Sequence, residues 1–263
     1  MLRWLLSQRW DDLLFAHWAV EPRRLRTLLP AGVEPDVHAG RAWIGIVAFE
    51  MTGTRGASLL PTRGLGPIPE LNVRTYVRVG GEPGVWFLSL DTSSPLFVTI
   101  GRTLYGLRYR LARMLVVRDG PRIHYASACG PAAFAATYEP ARRGAPADAG
   151  SLEHWLFERY RLFALRGGRL VTAEVAHPRW TLQPVDAEIE VNTLEPPGVP
   201  LDGEPLLHFS RGVAALIAPP TPVAAAVLGA QAHGEPARAP RPRRDAEDAR
   251  DARAARAAAP VVG

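Results

Sequence analysis

The chain has 263 residues, 47% of them hydrophobic and 22% charged, with a formal net charge of +5. That balance belongs to a globular chain of one large domain or two small ones, able to bury a core without disulfides or a structural metal. All 31 basic residues are Arg and Cys129 is the one cysteine, which excludes a side-chain Schiff base, a P-loop lysine, an internal disulfide and a cysteine-based zinc site.

The opening "MLRWLLSQRWDDLLFAHW" is broken by Ser7, Gln8, Arg9, Asp11 and Asp12, so it does not read as a signal peptide. No apolar run reaches the roughly 18 residues a membrane span needs, and the expectation is a cytoplasmic protein with no membrane partner. "EPRRLRTLLP" places Pro22 in a first helical turn, with Leu25, Leu28 and Leu29 on one face. "RAWIGIVAFEM" (41–51) is apolar on both faces and predicts a central strand covered on both sides. Residues 70–79 and 85–91 predict a hairpin turning at "GGEPG". Residues 102–115 carry helical spacing through Leu104, Leu107, Leu111 and Leu115, weakened by Gly106. "RIHYASAC" and "AAFAATYE" predict a second hairpin about Gly130-Pro131, with Cys129 as a small buried residue.

Further on, "SLEHWLFERYRLFALRGG" predicts a helix capped by Ser151, with Leu152, Trp155, Leu156 and Phe163 near one face and Gly167 as its stop. Residues 168–177 predict a strand. Residues 185–191 alternate Val185, Ala187, Ile189 and Val191 against Asp186, Glu188 and Glu190, a strand with one face in water. Residues 206–213 predict the last strand. Residues 229–263 hold seven Arg and five acids among Ala and Pro, and read as a disordered tail. Its mixed charge argues against a specific nucleic-acid partner. The expected class is α+β, mostly antiparallel β: a closed or nearly closed sheet with two or three peripheral helices over residues 1–228, followed by the tail.

The first strand of the 70–91 hairpin carries Leu71, Val73, Thr75 and Val77 on one face and Glu70, Asn72, Arg74, Tyr76 and Arg78 on the other. The second strand, "VWFLSLD", is apolar on both faces until Ser89 and Asp91, which argues against open water on either side. A four-residue loop pairing Val79 with Gly84 sets Arg74 opposite Ser89, Asn72 opposite Asp91 and Tyr76 opposite Phe87. Glu70, Asn72, Arg74, Ser89 and Asp91 then share a face, while Arg78 is solvated. Two readings stand at this point. Arg74 can grip a carboxylate bidentately inside a cavity, or it can pair with Glu70 or Asp91 in an internal network that satisfies buried charge.

The other candidates are weaker. His17 and His177 as a pair, with Glu70 or Glu158, could bind a metal, but no close spacing such as H-x-x-x-H occurs, so no metal is expected and both read as buried histidines beside tryptophans. Glu158, Arg159 and Tyr160 are consecutive on the expected helix and cannot face one way, which favours a capping or ion-pair role. There is no G-x-S-x-G and no dinucleotide fingerprint, and no cofactor is expected.

Seven ordered stretches, "FAHWAV", "LLPAG", "GRAWIGIVAFEM", "ELNVRTYV", "PGVWFLSLD", "FERYRLF" and "HPRWTLQP", together resemble a bacterial family of unknown function called YqjF-like. The resemblance covers most of residues 1–219. It implies an acetoacetate decarboxylase-like fold, a closed antiparallel β-barrel around an internal cavity. Acetoacetate decarboxylases carry a motif like G-R-E-x-x-G-[FL]-P-K-K-L-A, whose first lysine forms the Schiff base. Residues 101–112 read "GRTLYGLRYRLA": Gly101, Arg102, Gly106, Leu111 and Ala112 match, Arg108 stands for the proline, Tyr109 for the Schiff-base lysine and Arg110 for its neighbour. The amine nucleophile is therefore gone. Tyr109 is left as a general acid or base, a hydrogen-bond donor to a carbonyl, or an aromatic wall. The expected function is binding of, or an unknown reaction on, a small carboxylate or carbonyl compound, with Arg74 as anchor and Glu70, Asn72, Asp91, Arg102 and Tyr109 around it. The alternative is a non-catalytic scaffold or protein-interaction module with a structural polar core.

Overall fold

The computed structural model of the chain describes residues 3–56, 65–141 and 143–224; the tail expected over 229–263 lies outside them. In chain order come β1 (Leu6–Val20), α1 (Pro22–Arg26), β2 (Glu34–Pro35), β3 (Ala42–Gly56), β4 (Ile68–Val79) and β5 (Glu82–Thr92). Next is α2 (Pro95–Ile100), which runs into a π-helical turn over Gly101–Tyr105, then β6 (Tyr109–Leu111), β7 (Arg113–Asp119), β8 (Arg122–Cys129) and β9 (Ala132–Pro140). The rest are α3 (Leu152–Phe157), β10 (Arg161–Arg166), β11 (Arg169–Ala176), β12 (Val185–Asn192), β13 (Leu206–Ile217) and β14 (Thr221–Pro222). Strands dominate, and no helix of the described residues is long and apolar enough to cross a membrane.

The larger sheet has the order β2-β4-β3-β1-β13-β11-β10-β5-β6, with β14 on β11. Because β5 also pairs with β4, the pairings from β4 through β3, β1, β13, β11 and β10 to β5 form a ring, with β2 and β6 attached to it. A smaller sheet, β12-β9-β8-β7, is antiparallel throughout. Side chains alternate across a strand, and both faces of the central strands are covered. Leu14, Ala16 and Trp18 of β1, Ile44, Ile46 and Ala48 of β3, and Leu71, Val73 and Val77 of β4 pack with Ile123, Tyr125, Phe134 and Tyr138 of the smaller sheet. Their neighbours Leu13 and Phe15, Val47, Phe49 and Met51, and Ile68 and Tyr76 pack instead with Phe97, Leu156, Phe157 and Trp180. This double burial is why 41–51 is apolar throughout. The opposite case is β12, whose acids are exposed while Val185, Ala187 and Ile189 lean on the core.

Several expectations are corrected. Residues 102–115 are not a helix. Gly106 takes a left-handed conformation (φ 71°) that closes the π-helical turn, and strands follow, leaving Leu111 and Leu115 exposed. The helix after Ser151 is present and capped, its Oγ accepting from the His154 N–H, but it stops at Phe157, and the predicted continuation is strand β10. Leu162, Phe163 and Ala164 are all buried there, a strand covered on both faces rather than a helical stripe. Cys129 ends β8 only half-buried. The long strand β1 had no counterpart among the predicted elements. Its alternation is broken by register shifts at Ser7/Arg9 and Asp11/Leu14, where Asp12 adopts φ 54°.

Candidate functional site

The polar face of β4 does not look at bulk water. Glu70, Asn72, Arg74 and Tyr76 share the face of Ile68, on the side of Phe15, Phe49 and Phe157. The predicted hairpin register is overturned. Gly80 and Gly81, at φ 58° and 84°, make a two-residue turn that pairs Val79 with Glu82. A bulge then leaves Leu88 unpaired between Phe87, opposite Arg74, and Ser89, opposite Val73. Together these put Leu90 opposite Asn72 and Asp91 opposite Leu71, so Asp91 points to the other face. There the Asp91 carboxylate, 2% exposed, accepts from Arg110 Nε at 2.6 Å and Nη2 at 3.0 Å. Arg78 at the strand's end is exposed as expected, and its Nε also donates to Asp36 Oδ1 at 2.8 Å.

Tyr109 reaches the face that Asp91 left. Its hydroxyl donates to Glu70 Oε2 at 2.6 Å, and Asn72 Nδ2 approaches Glu70 Oε1 at 3.4 Å. The motif residues of 101–112 explain how Tyr109 is held. A Cβ on Gly101 would lie 2.1 Å from Tyr109 Cδ2, so only glycine leaves room for the ring. Arg102 is exposed; its Nε donates to the Tyr109 carbonyl at 2.7 Å, which braces the backbone without putting the guanidinium in the site. Gly106 seats the turn against the Leu165 carbonyl.

Glu70, Arg74 and Tyr109 line a cavity of about 110 Å³, with Phe87, Leu90, Phe97, Tyr105, Phe157 and Trp180 among its apolar walls. One water needs only ~10–15 Å³ measured this way, so a small organic molecule has room. Arg74 is half-buried, its Nε has no hydrogen-bond partner, and no carboxylate among the described residues pairs with it. Its guanidinium lies over the rings of Phe15 and Tyr76, at 5.5 and 5.8 Å. Burial, partly offset by the bonds from Tyr109 and Asn72, raises the Glu70 pKa from 4.5 to about 7. Burial and the neighbouring Glu70 carboxylate push the Tyr109 phenol well up, so it stays protonated and donates.

Sequence reasoning underweighted two lining residues. Because α3 ends early, Arg159 sits in the link to β10 and turns inward. Its Nη1 donates to Asp36 at 2.7 Å and its Nε to the Trp155 carbonyl, while Nη2 is buried without a partner. The ion-pair role expected for it is present. His177 also lines the cavity, in tilted ring contacts with Tyr160 and Trp180, and burial lowers its pKa. His17 is buried and shares a 2.7 Å hydrogen bond with the Tyr76 hydroxyl. Among the described residues no three His, Cys, Asp or Glu are grouped to hold a metal ion.

Residues 7–214 match the model of the DUF2071 family, described as an uncharacterized conserved protein. The chain belongs to that family. One relative, the uncharacterized protein YqjF of Bacillus subtilis (strain 168), is 40% identical over 213 residues, 79% of this chain and 88% of that protein. Among solved structures, acetoacetate decarboxylase from Legionella pneumophila superposes with a TM-score of 0.61 at 16% identity, covering 85% of this chain and 90% of the other. The enduracididine biosynthesis enzyme MppR, complexed with pyruvate, gives 0.61 at 14% identity, with 85% and 92% covered. An acetoacetate decarboxylase-like enzyme from Sphingomonas wittichii RW1 gives 0.57 at 18% identity, with 84% and 94% covered. At these identities the likeness shows the fold: this DUF2071 chain is built as the acetoacetate decarboxylase-like proteins are.

Proposed function

We propose that the ring of strand pairings is a closed barrel and that its cavity binds a small carboxylate- or carbonyl-bearing compound, anchored by Arg74. The carrying observation is the half-buried, unpaired Arg74 opening on an apolar cavity. Arg159 is balanced by Asp36, the lining His177 is neutral at pH 7, and burial keeps Glu70, with its pKa near 7, only partly ionised, so the positive charge of Arg74 and the lining Arg161 is not fully matched within the cavity. Glu70 and Tyr109 form a proton-carrying pair on the same face. Two things support a small keto acid as the first probe: the fold is shared with a protein described in complex with pyruvate, and Arg74 suits its carboxylate. Imine chemistry does not follow with the fold, since none of the 263 residues is lysine.

The test is a thermal-shift and calorimetric screen of pyruvate, longer 2-keto acids, hydroxy acids and dicarboxylates. Ligand at 100 times its Kd is expected to stabilise by about 2.7 kcal/mol, raising Tm by roughly 5–10 °C. Arg74→Ala is expected to weaken that binding at least ~30-fold, since it removes charge-assisted hydrogen bonds worth ~2 kcal/mol or more. A screen without binders, or an Arg74→Ala variant that binds as the wild type does, would overturn the proposal.

A further inference from the structure

The smaller sheet ends on one side at β7, and no other strand of the described residues pairs with its outer edge. Open edges are usually blunted by charged side chains, Pro, a bulge or a covering element. β7 has no Pro, its register with β8 runs unbroken from Arg113↔Ala128 to Asp119↔Arg122, and of its three charges Arg118 is turned inward onto Asp12 and Glu50, which leaves Arg113 and Asp119, of opposite sign, at the two ends of the edge. Met114 and Val116 pack inward on the core. Arg113, Leu115, Val117 and Asp119 stand on the outer face, all exposed, with Leu115 61% and Val117 44% open to water. Behind them the face is apolar and low, since Ala126 lies opposite Leu115, Ala135 opposite Ala126 and Val191 opposite Ala135. A shallow groove runs along this row.

The charges at the two ends of β7 say what fits this edge. Neither Arg113 nor Asp119 has an ion-pair partner among the described residues. Laid antiparallel against itself with Val116 on the twofold axis, "RMLVVRD" brings Arg113 opposite the partner's Asp119 and Leu115 opposite the partner's Val117, each twice by symmetry. A slip of one residue turns the inward side chains outward, and one such slip sets Arg113 against the partner's Arg118. A slip of two loses both charge pairs. One register therefore satisfies the charges, the apolar pairs and the open backbone groups together. We propose that the protein is a twofold dimer in which β7 pairs with β7 of a second copy, joining two four-stranded sheets into one of eight. This inference is independent of what the cavity binds.

The test is the mass of the full chain in solution, by light scattering and sedimentation, from nanomolar to high micromolar concentration. Wild type is expected to reach twice the chain mass of 28.6 kDa. Arg113→Asp and Asp119→Arg, each alone, set like charges opposite one another and are expected to weaken the dimer at least about ten-fold. Both together re-form the pairs with their signs exchanged, and the dimer returns. The two positions are exposed, so either single reversal serves if the other fails to fold. A wild type of 28.6 kDa throughout would overturn the proposal. So would a dimer that is indifferent to the single reversals or is not restored by the double one.

Discussion

Glu70→Gln is expected to melt higher than wild type at pH 8, with the gap closing toward pH 4.5. The Glu70 carboxyl has a folded-state pKa of about 7 against an ordinary 4.5, with burial as the largest cause. Below pH 4.5 the group is protonated folded or unfolded and costs nothing. As pH rises from 4.5 to 7 the unfolded chain loses the proton that the folded chain keeps, so stability falls. Above pH 7 the cost is complete: at about 1.4 kcal/mol for each pH unit of displacement it reaches about 3 kcal/mol. Gln carries no charge to bury. Its carbonyl can accept from the Tyr109 hydroxyl, and its amide can donate to Asn72 Oδ1, which has no partner. The expected rise in Tm at pH 8 is roughly 6–12 °C. Scanning calorimetry of both proteins at several pH values checks it, and equal melting at pH 8 would contradict the burial of a titrating carboxylate. A natural protein that keeps this penalty needs the carboxylate for something other than stability.

Gly106→Ala should cost about as much, by another route. Position 106 sits at φ 71°, which costs a side chain about 1–2 kcal/mol. A Cβ there would also stand 2.3 Å from the Leu165 carbonyl oxygen and 2.9 Å from Arg166 Cα. These are backbone atoms of the β10–β11 hairpin and cannot swing aside. Overpacking of this kind adds ~1–3 kcal/mol, for a loss of about 3 kcal/mol and a fall in Tm of roughly 6–12 °C. Chemical denaturation measures the loss directly. Because the segment that holds Tyr109 pivots on this glycine, the variant is also expected to bind ligand less well.

The same residues show how far the sequence could be read. Strict alternation placed Glu70, Asn72 and Arg74 on one face of a strand, and the apolar second strand said that face was not in open water; both hold. Where β12 alternates cleanly, or β3 is apolar on both faces, the strand was legible. β1 was not, because bulges at Ser7/Arg9 and Asp11/Leu14 break its period. Leu104, Leu107, Leu111 and Leu115 mimic a helix by spacing alone, although their pattern spans a π-helical turn and two strands. Asp91 was assigned to the wrong face because the register depends on a bulge at Leu88 that nothing in "VWFLSLD" announces. Arg159 was read on a helix that ends two residues before it. Tyr109 was legible only through the motif it departs from. Gly101 and Gly106 are needed there for steric reasons, since a Cβ would strike the Tyr109 ring or the Leu165 carbonyl.

The most direct measurement is the Tm of ligand-free Arg74→Met against ligand-free wild type. An arginine held half-buried and unpaired for a ligand is a burden on the empty protein, and Met keeps the apolar stem while removing the charge. If Arg74 is a ligand anchor, the variant melts no lower than wild type and up to a few degrees higher. If it falls by about 4 °C or more, a loss of at least ~1 kcal/mol, Arg74 is holding the core together. The cavity would then be the polar centre of a scaffold, which contradicts the ligand-site reading.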